Sequence, residues 1–88
     1  MRRVHVTVRG RVQGVGYRWS TRLVAEREEV TGWVRNCADG TVEAELQGEP
    51  ERLDAVLAWM AEGPPGSVVE SRDVTDLEPV ESSGFDVR

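Results

Sequence analysis

The 88-residue sequence is long enough for one small domain with a modest core. Its 39% hydrophobic and 31% charged residues are typical of a soluble globular protein, and no apolar run approaches the roughly 20 residues of a membrane span. The net charge of −5 argues against a general nucleic-acid-binding protein.

Charge and cysteine content indicate the kind of ligand and compartment. Residues 1–25 carry six arginines and no acid, whereas residues 26–88 carry five arginines and all 16 acids, so +6 stands against −11. A positive segment of this kind suits a small anionic ligand. One cysteine, Cys37, cannot form an internal disulfide or a zinc site, and Met1 leads directly into a predicted strand without a signal peptide. We therefore expect one cytoplasmic domain spanning residues 1–88, with no membrane or nucleic-acid partner.

The first predicted element is a strand over Arg3–Arg9, in which every second residue is a valine that faces the core. A helix follows from Tyr17 to about Glu28, because this segment contains no glycine or proline. Its buried side is expected to include Tyr17, Trp19, Leu23 and Val24.

Between these two elements lies a glycine-rich turn, Gly10–Arg18 (GRVQGVGYR). Such a turn leaves backbone N–H groups unpaired at the positive end of the helix dipole, where they bind anions, and its glycines permit positive φ. Arg18 can hold a phosphate or carboxylate bidentately. The sequence matches neither a Walker A loop nor the dinucleotide fingerprint, whose third glycine is replaced by Trp19. These residues alone slightly favour an ordinary strand-to-helix turn with a surface arginine.

The remaining elements follow in a regular order, with an Asp-Gly hairpin turn at residues 37–40. Their predicted bounds are strands Val30–Asn36 and Thr41–Gln47, a helix from Pro50 to the turn at 63–66, and strands Val68–Thr75 and Gly84–Arg88. The residues expected to face the core are Val42, Ala44 and Leu46 on the strand after the hairpin, and Leu53, Val56, Leu57 and Met60 on the second helix.

The order β-α-β-β-α-β plus a short terminal strand predicts an α+β, ferredoxin-like split βαβ fold. This is an antiparallel sheet with two helices on one face. A right-handed crossover makes the first two strands parallel, so their C-terminal ends share one edge of the sheet. The glycine-rich turn and Asn36 each follow one of these ends, and we therefore expect Arg18 and Asn36 to lie close together.

Several segments together resemble the acylphosphatase family, in the right order and across nearly the whole sequence. They are Gly10–Arg18, Thr31–Asn36 (TGWVRN), Asp39–Glu43 (DGTVE), Gly63–Gly66 (GPPG) and the closing Gly84–Phe85. The sequence departs from the family at Glu28 and Glu29, where the family usually has an aliphatic residue and a helix-ending glycine. This departure leaves the end of the first helix undefined.

The resemblance implies an enzyme that hydrolyses acyl phosphates, which are carboxyl–phosphate anhydrides, to a carboxylate and inorganic phosphate. It implies that Arg18 and Asn36 are catalytic and that Asn36 orients the attacking water. The phosphate-binding residues implied are Gln13, Gly14, Val15, Gly16, Tyr17 and Arg18, with Gln13 acting through its N–H more than its side chain. No metal and no cofactor is expected, and the protein is expected to be a monomer.

One alternative from a different class remains open at this point. Ferredoxin-like folds also host non-catalytic ligand-binding domains, so the chain could be a module that binds phosphate or carbamoyl phosphate without turnover. An RNA-binding version is rejected, because aromatic residues make up only 6% of an acidic sequence. Release of product from an acyl phosphate distinguishes the enzyme from the binding module.

Overall fold

The computed structural model describes all 88 residues, which form five strands and two helices in the predicted order. The elements are β1 (Arg2–Arg11), α1 (Tyr17–Arg27), β2 (Thr31–Asn36), β3 (Val42–Gly48), α2 (Pro50–Met60), β4 (Val68–Leu77) and β5 (Phe85–Val87). Neither helix combines the length and the apolar character required to cross a membrane.

The five strands form one sheet in the order β4-β1-β3-β2-β5. Both β1 and β2 pair antiparallel with β3 and therefore run parallel to each other, which confirms the predicted fold class. The sheet is mixed, and not purely antiparallel as predicted, because β5 pairs in parallel with β2. The chain reverses direction after β4 and crosses to the opposite edge of the sheet. Strand β5 therefore points in the opposite direction to β4 and in the same direction as its neighbour β2.

The hydrophobic core lies between one face of the sheet and the two helices. The inward residues predicted on β1, β3 and α2 are all buried, with at most 6% of their surface exposed. These residues are Val4, Val6, Val8, Val42, Ala44, Leu46, Leu53, Val56, Leu57 and Met60. Each large aliphatic side chain that leaves water in this way contributes roughly 1.5–3 kcal/mol, so this layer fixes the frame on which the site is built.

The buried side of α1 differs from the prediction. Its buried residues are Tyr17, Thr21, Val24 and Ala25. Trp19 and Leu23 were predicted in the core but are 57% and 52% exposed, so these two predictions are wrong. The buried residues fall at helical spacings of four, seven and eight from the first, whereas Trp19 and Leu23 form a separate pair on another side of the helix.

Strand β1 extends beyond its predicted end. Gly10 and Arg11 continue the pairing with β4 after a register shift between Arg9 and Gly10. A Cβ atom on Gly10 would lie 2.1 Å from the carbonyl oxygen of Val68. Gly10 therefore allows close approach of the β4 backbone and not of a ligand, which narrows the glycine-rich connection to residues 12–16.

Helix α1 ends one residue earlier than predicted, with Glu28 as its C-cap. The next residue, Glu29, has φ 57° and is the one non-glycine residue with a positive φ. The Val30 N–H donates to the Ala25 carbonyl at 2.8 Å and the Glu29 N–H donates to the Glu26 carbonyl at 3.1 Å. This is the Schellman arrangement, formed here with glutamate at the position that favours glycine.

Candidate active site

Residues 12–16, which we call the glycine loop, connect β1 to the beginning of α1. Gly14 and Gly16 have φ values of 74° and 77°, and Gly16 is the N-cap residue of α1. No atom lies within 4 Å of the position that a Cβ would occupy on either glycine. The loop backbone is therefore open on the side where a side chain would otherwise project.

The backbone N–H groups of the glycine loop after Val12, and of the first three residues of α1, have no hydrogen-bond acceptor within the protein. No N–H from Gln13 to Trp19 donates a hydrogen bond, and the first bond of the helix runs from Ser20 to the Gly16 carbonyl at 3.0 Å. No side chain caps the N-terminus of α1, and no acidic residue lies in its first turn. These donors and the helix dipole together make the segment suitable for an anion.

The glycine loop borders a pocket of about 260 Å³. Its lining residues are Val12, Gly14, Gly16, Tyr17, Arg18, Trp19, Asn36 and Val87. The topology thus brings Arg18 and Asn36 into one pocket although 18 positions separate them in the sequence. Two residues predicted from the resemblance, Gln13 and Val15, do not line it, and Val15 packs against the hydrophobic core.

Arg18 lies in the first turn of α1 with its side chain half-buried. Its Nη1 donates a hydrogen bond of 2.7 Å to the main-chain oxygen of Arg88, the last residue of the sequence, beside β5. No Asp or Glu side chain forms an ion pair with Arg18. The guanidinium is therefore held in place at the pocket, and no acidic side chain neutralises its charge.

Asn36 is the last residue of β2 and pairs with Val42 on β3. Its Oδ1 is the one buried side-chain nitrogen or oxygen atom in the protein without a hydrogen-bond partner. A buried acceptor left unpaired costs roughly 1–3 kcal/mol, and the fold accepts this cost at a residue that also lines the pocket.

The side chain of Gln13 has a role that the sequence did not predict. Its Nε2 donates to the carbonyl oxygens of Cys37 at 2.7 Å and Thr41 at 3.0 Å. These carbonyls belong to the hairpin turn that follows Asn36. The side chain, and not only the N–H, therefore connects the glycine loop to the element that carries Asn36, which corrects the prediction.

The hairpin turn is itself held by local hydrogen bonds. The Cys37 N–H donates to the Thr41 carbonyl at 2.8 Å. The Asp39 carboxylate accepts from the Thr41 hydroxyl at 2.7 Å and from its N–H at 3.1 Å. The hydrogen bond from the Thr41 hydroxyl is the main cause that lowers the pKa of Asp39 below its usual value. This network fixes the backbone immediately after Asn36.

Tyr17, the first residue of α1, forms part of both the pocket and the core. Its side chain is 1% exposed, and its hydroxyl donates to the Met60 carbonyl at 2.6 Å. Burial raises the pKa of Tyr17 well above its usual value, and the charge of Arg72 partly opposes this rise. Tyr17 is therefore a neutral anchor between the beginning of α1 and the end of α2, and not an acid or base at neutral pH.

The structure contains no group of three or more His, Cys, Asp or Glu side chains arranged to hold a metal ion. The chemistry available in the pocket comes from backbone N–H donors, one guanidinium and one amide. These groups can bind an oxyanion and orient a water molecule.

Comparisons with known proteins agree on one family. The family model for acylphosphatase matches residues 4–87. Acylphosphatases from Thermococcus kodakarensis and Thiobacillus denitrificans are 48% and 49% identical over 85 and 88 residues; the matches cover 97% and 100% of this chain and 93% and 98% of those relatives. The crystal structure of acylphosphatase from Bacillus subtilis superposes with a TM-score of 0.96 at 32% identity, covering 100% of this chain and 99% of that one.

Proposed function

The chain belongs to the acylphosphatase family, and we propose that it hydrolyses acyl phosphates in the pocket between the glycine loop and the end of β2. Water attacks phosphorus, the bond from phosphorus to the acyl oxygen breaks, and the products are a carboxylate and inorganic phosphate. The observation that carries the assignment of the site is the pocket itself, which brings Asn36 and Arg18 together beside the free loop N–H groups.

The glycine loop and Arg18 act on the phosphoryl group. Charge in the transition state spreads over the phosphoryl oxygens, so catalysis depends on positioning and electrostatic stabilisation. The N–H groups from Gln13 to Arg18 and the Arg18 guanidinium hold these oxygens. The donors are already free and fixed by the fold, so little reorganisation is needed when charge develops.

Asn36 acts on the attacking water. Its side-chain amide hydrogen-bonds the water and directs the water oxygen to phosphorus. Because an amide is not a base, the proton that water loses passes to a phosphoryl oxygen and leaves with inorganic phosphate. The leaving carboxylate is a weak base near neutral pH and requires no general acid.

We also propose that the protein acts as a single domain and as a monomer in the cytoplasm. One chain supplies a complete 17-residue core, and its radius of gyration of 11.6 Å is near the ~12 Å expected for one compact domain of this length. The chain has one cysteine and does not depend on a disulfide for its stability, as is usual in the cytoplasm. Light scattering and cell fractionation test the two parts separately.

The experiment measures phosphate release from acetyl phosphate, with a chelator present, by the parent chain and by Arg18→Ala and Asn36→Ala. Loss of one well-placed donor typically lowers the rate about 10²–10³-fold. Asn36→Ala should lower kcat by this amount and leave inhibition by inorganic phosphate nearly unchanged. Arg18→Ala should lower kcat/KM further and weaken inhibition by phosphate, because it removes binding charge as well.

Arg11→Ala is the matched control for Arg18→Ala. Arg11 is exposed at the end of β1, forms no ion pair and does not line the pocket, so its loss removes one positive charge close in sequence to the site. We expect kcat/KM within about threefold of the parent. A folded parent chain that binds phosphate but releases none from acyl phosphates would instead be an anion-binding module.

A further inference from the structure

The pocket has an apolar side that the proposed chemistry does not use. Half of its eight lining residues are hydrophobic, and three of these, Val12, Trp19 and Val87, have side chains that cannot bind an anion by charge. The volume of about 260 Å³ lies just below the range of ~300–1,000 Å³ typical of small-molecule sites. The pocket therefore has room for more of a small substrate than its phosphoryl group.

Trp19 is the largest side chain on this side and is not part of the core. Its surface is 57% exposed, and it does not belong to the cluster of buried hydrophobic residues. The guanidinium carbon of Arg22 lies 5.3 Å from the centre of the indole ring, and Arg22 is itself paired with Glu26 at 3.4 Å. The indole is thus braced on one face and presents an ordered apolar surface at the pocket.

An acyl phosphate has two chemically different ends. The anionic end requires the loop N–H groups and Arg18, so the acyl group must extend towards another part of the lining. No Asp or Glu lines the pocket, and a cationic acyl group would therefore find no partner. An anionic acyl group would find only the Arg22 guanidinium beside the indole, and this group is already paired with Glu26. An apolar group would bury hydrophobic surface against the ring.

We infer that Trp19 is the binding surface for the acyl group of the substrate and that it selects apolar, above all aromatic, acyl phosphates. This inference rests on the proposed function and extends it from the phosphate end of the substrate to the acyl end. Trp19 contacts the substrate directly and sets the choice between substrates, while Arg18 and Asn36 act on the phosphoryl group whatever acyl group it carries.

The first test compares kcat/KM for benzoyl phosphate and acetyl phosphate in the parent chain, Trp19→Ala and Trp19→Phe. The parent should prefer benzoyl phosphate by about tenfold or more, a typical value for an apolar contact in a pocket. Trp19→Ala should remove most of this preference, because it should raise KM for benzoyl phosphate much more than KM for acetyl phosphate. Trp19→Phe retains an aromatic ring and should keep most of the preference for benzoyl phosphate.

Leu23→Ala is the matched control. Leu23 lies one turn along α1 from Trp19, is 52% exposed and does not line the pocket. Its truncation removes a comparable exposed apolar group and should leave the preference for benzoyl phosphate unchanged. An equal loss of preference in Leu23→Ala and Trp19→Ala would overturn the inference, because it would point to a general effect of the exposed side of α1.

Inhibition provides a readout that does not depend on turnover. Inorganic phosphate contacts only the anion site, whereas benzoylphosphonate also carries an aromatic acyl group. In Trp19→Ala the inhibition constant of benzoylphosphonate should rise about tenfold and that of phosphate should stay within about twofold. An equal rise for both inhibitors, or a rise for neither, would overturn the inference.

The two proposals fail in different ways. If the folded parent hydrolyses neither acyl phosphate, the proposed function is wrong. If it hydrolyses both equally well, or if Trp19→Ala keeps the parent's preference, the proposed function stands and the assignment of Trp19 to the acyl group is wrong.

Discussion

Two amide side chains near the site, those of Asn36 and Gln13, differ in the hydrogen bonds that they form within the protein. Asn36 keeps its Oδ1 free, whereas Gln13 uses its amide to join the glycine loop to the hairpin turn. Gln13 is therefore a positioning residue, which acts on the reaction through the placement of the loop N–H groups. A displacement of about 1 Å in such a group is enough to cost ~10²-fold in rate.

We expect Gln13→Leu to lower kcat roughly 10–100-fold and stability by about 1–3 kcal/mol, because two carbonyls lose their donor. Gln47→Leu is the matched control. The Gln47 amide is also buried and holds the backbone of Val80, but it does not line the pocket. Steady-state kinetics and urea unfolding of both variants separate positioning from stability. Similar kcat values in two equally destabilised variants would contradict the role of Gln13.

The buried hydroxyl of Tyr17 allows a prediction about stability at alkaline pH. Because Tyr17 is the only tyrosine, its ionisation can be followed by absorbance. Its folded-state pKa is raised above the usual value of about 10, mainly by burial. The stability that this shift contributes is fully present below pH ~10 and is lost as pH rises towards the folded-state pKa. Tyrosinate absorbance should therefore appear only as the protein unfolds.

The matched variant Tyr17→Phe keeps the ring but cannot ionise. It should be about 0.5–1.5 kcal/mol less stable than the parent at neutral pH, because the hydrogen bond to the Met60 carbonyl is lost. Its stability should fall less steeply above pH ~10. A native parent protein that forms tyrosinate with an ordinary pKa would contradict this account.

At the scale of elements, the sequence predicted strands and α2 well because pattern and packing agree there. The alternating valines of β1 have one buried side, and the apolar stripe from Leu53 to Met60 has one possible orientation. In α1 the two signals conflict. Two large apolar residues, Trp19 and Leu23, face outward, while Thr21 and Ala25 are buried where α1 packs near the sheet and α2. Hydrophobicity alone does not determine that choice.

The site was predictable to the extent that topology determines it. The crossover makes β1 and β2 parallel and so places their C-terminal ends at one end of the sheet. The approach of Arg18 and Asn36 therefore follows from the order of the elements. The side-chain bonds of Gln13 depend on the detailed conformation of two loops, for which the sequence carries no periodic signal.

The C-terminus of α1 offers a stability prediction. Glu29 adopts a left-handed conformation that strains a residue with a Cβ. We expect Glu29→Gly to stabilise the protein by about 0.5–1 kcal/mol, since relief of strain exceeds the entropy that glycine loses on folding. This gain corresponds to a Tm increase of roughly 2–8 °C for a domain of this size.

Glu29→Ala is the matched control for that substitution. Both variants lose the exposed ion pair between Glu29 and Arg52, which is worth at most about 1 kcal/mol. Only glycine relieves the strain, because alanine keeps the Cβ. Calorimetry should give Glu29→Gly the higher Tm of the two variants, and equal Tm values would contradict a strained C-terminus.

At the scale of the whole molecule, the fold neutralises most of the positive charge near the start of the chain. The arginines among residues 1–25 that form ion pairs are Arg2, Arg3, Arg9 and Arg22. Arg11 and Arg18 form none. An acidic protein thus retains in its pocket a guanidinium that no acidic side chain neutralises. The net charge of residues 1–25 therefore says less about the site than the ion pairs of the individual arginines do.

The site also depends on contact between distant parts of the chain. The Arg88 N–H donates to the Val34 carbonyl at 2.8 Å, and its guanidinium carbon lies 4.6 Å from the centre of the Trp33 ring. Its main-chain oxygen accepts the hydrogen bond from Arg18. The position of Arg88, and with it that of the Arg18 guanidinium, therefore depends on the pairing of β5 with β2. This dependence couples the last strand to the binding of the anion.

Phe85→Ala tests this coupling, because Phe85 is the buried residue that holds β5 in the core. We expect a loss of about 3–5 kcal/mol in unfolding free energy. In the fraction that remains folded, the inhibition constant of inorganic phosphate should rise about tenfold. A tenfold change corresponds to ~1.4 kcal/mol, close to the value of one hydrogen bond from a charged group.

Leu53→Ala separates this effect from stability alone. Leu53 is fully buried on α2, its truncation should cost about 2–5 kcal/mol, and it does not line the pocket. With inhibition measured where urea curves show both variants folded, Leu53→Ala should bind phosphate within about twofold of the parent. If both variants weakened binding equally, general loosening of the domain would explain the result. If neither did, Arg18 would be positioned without help from β5. The predicted result is weaker phosphate binding in Phe85→Ala but not in Leu53→Ala. It is expected only if β5 holds in place the Arg18 guanidinium that contacts the substrate.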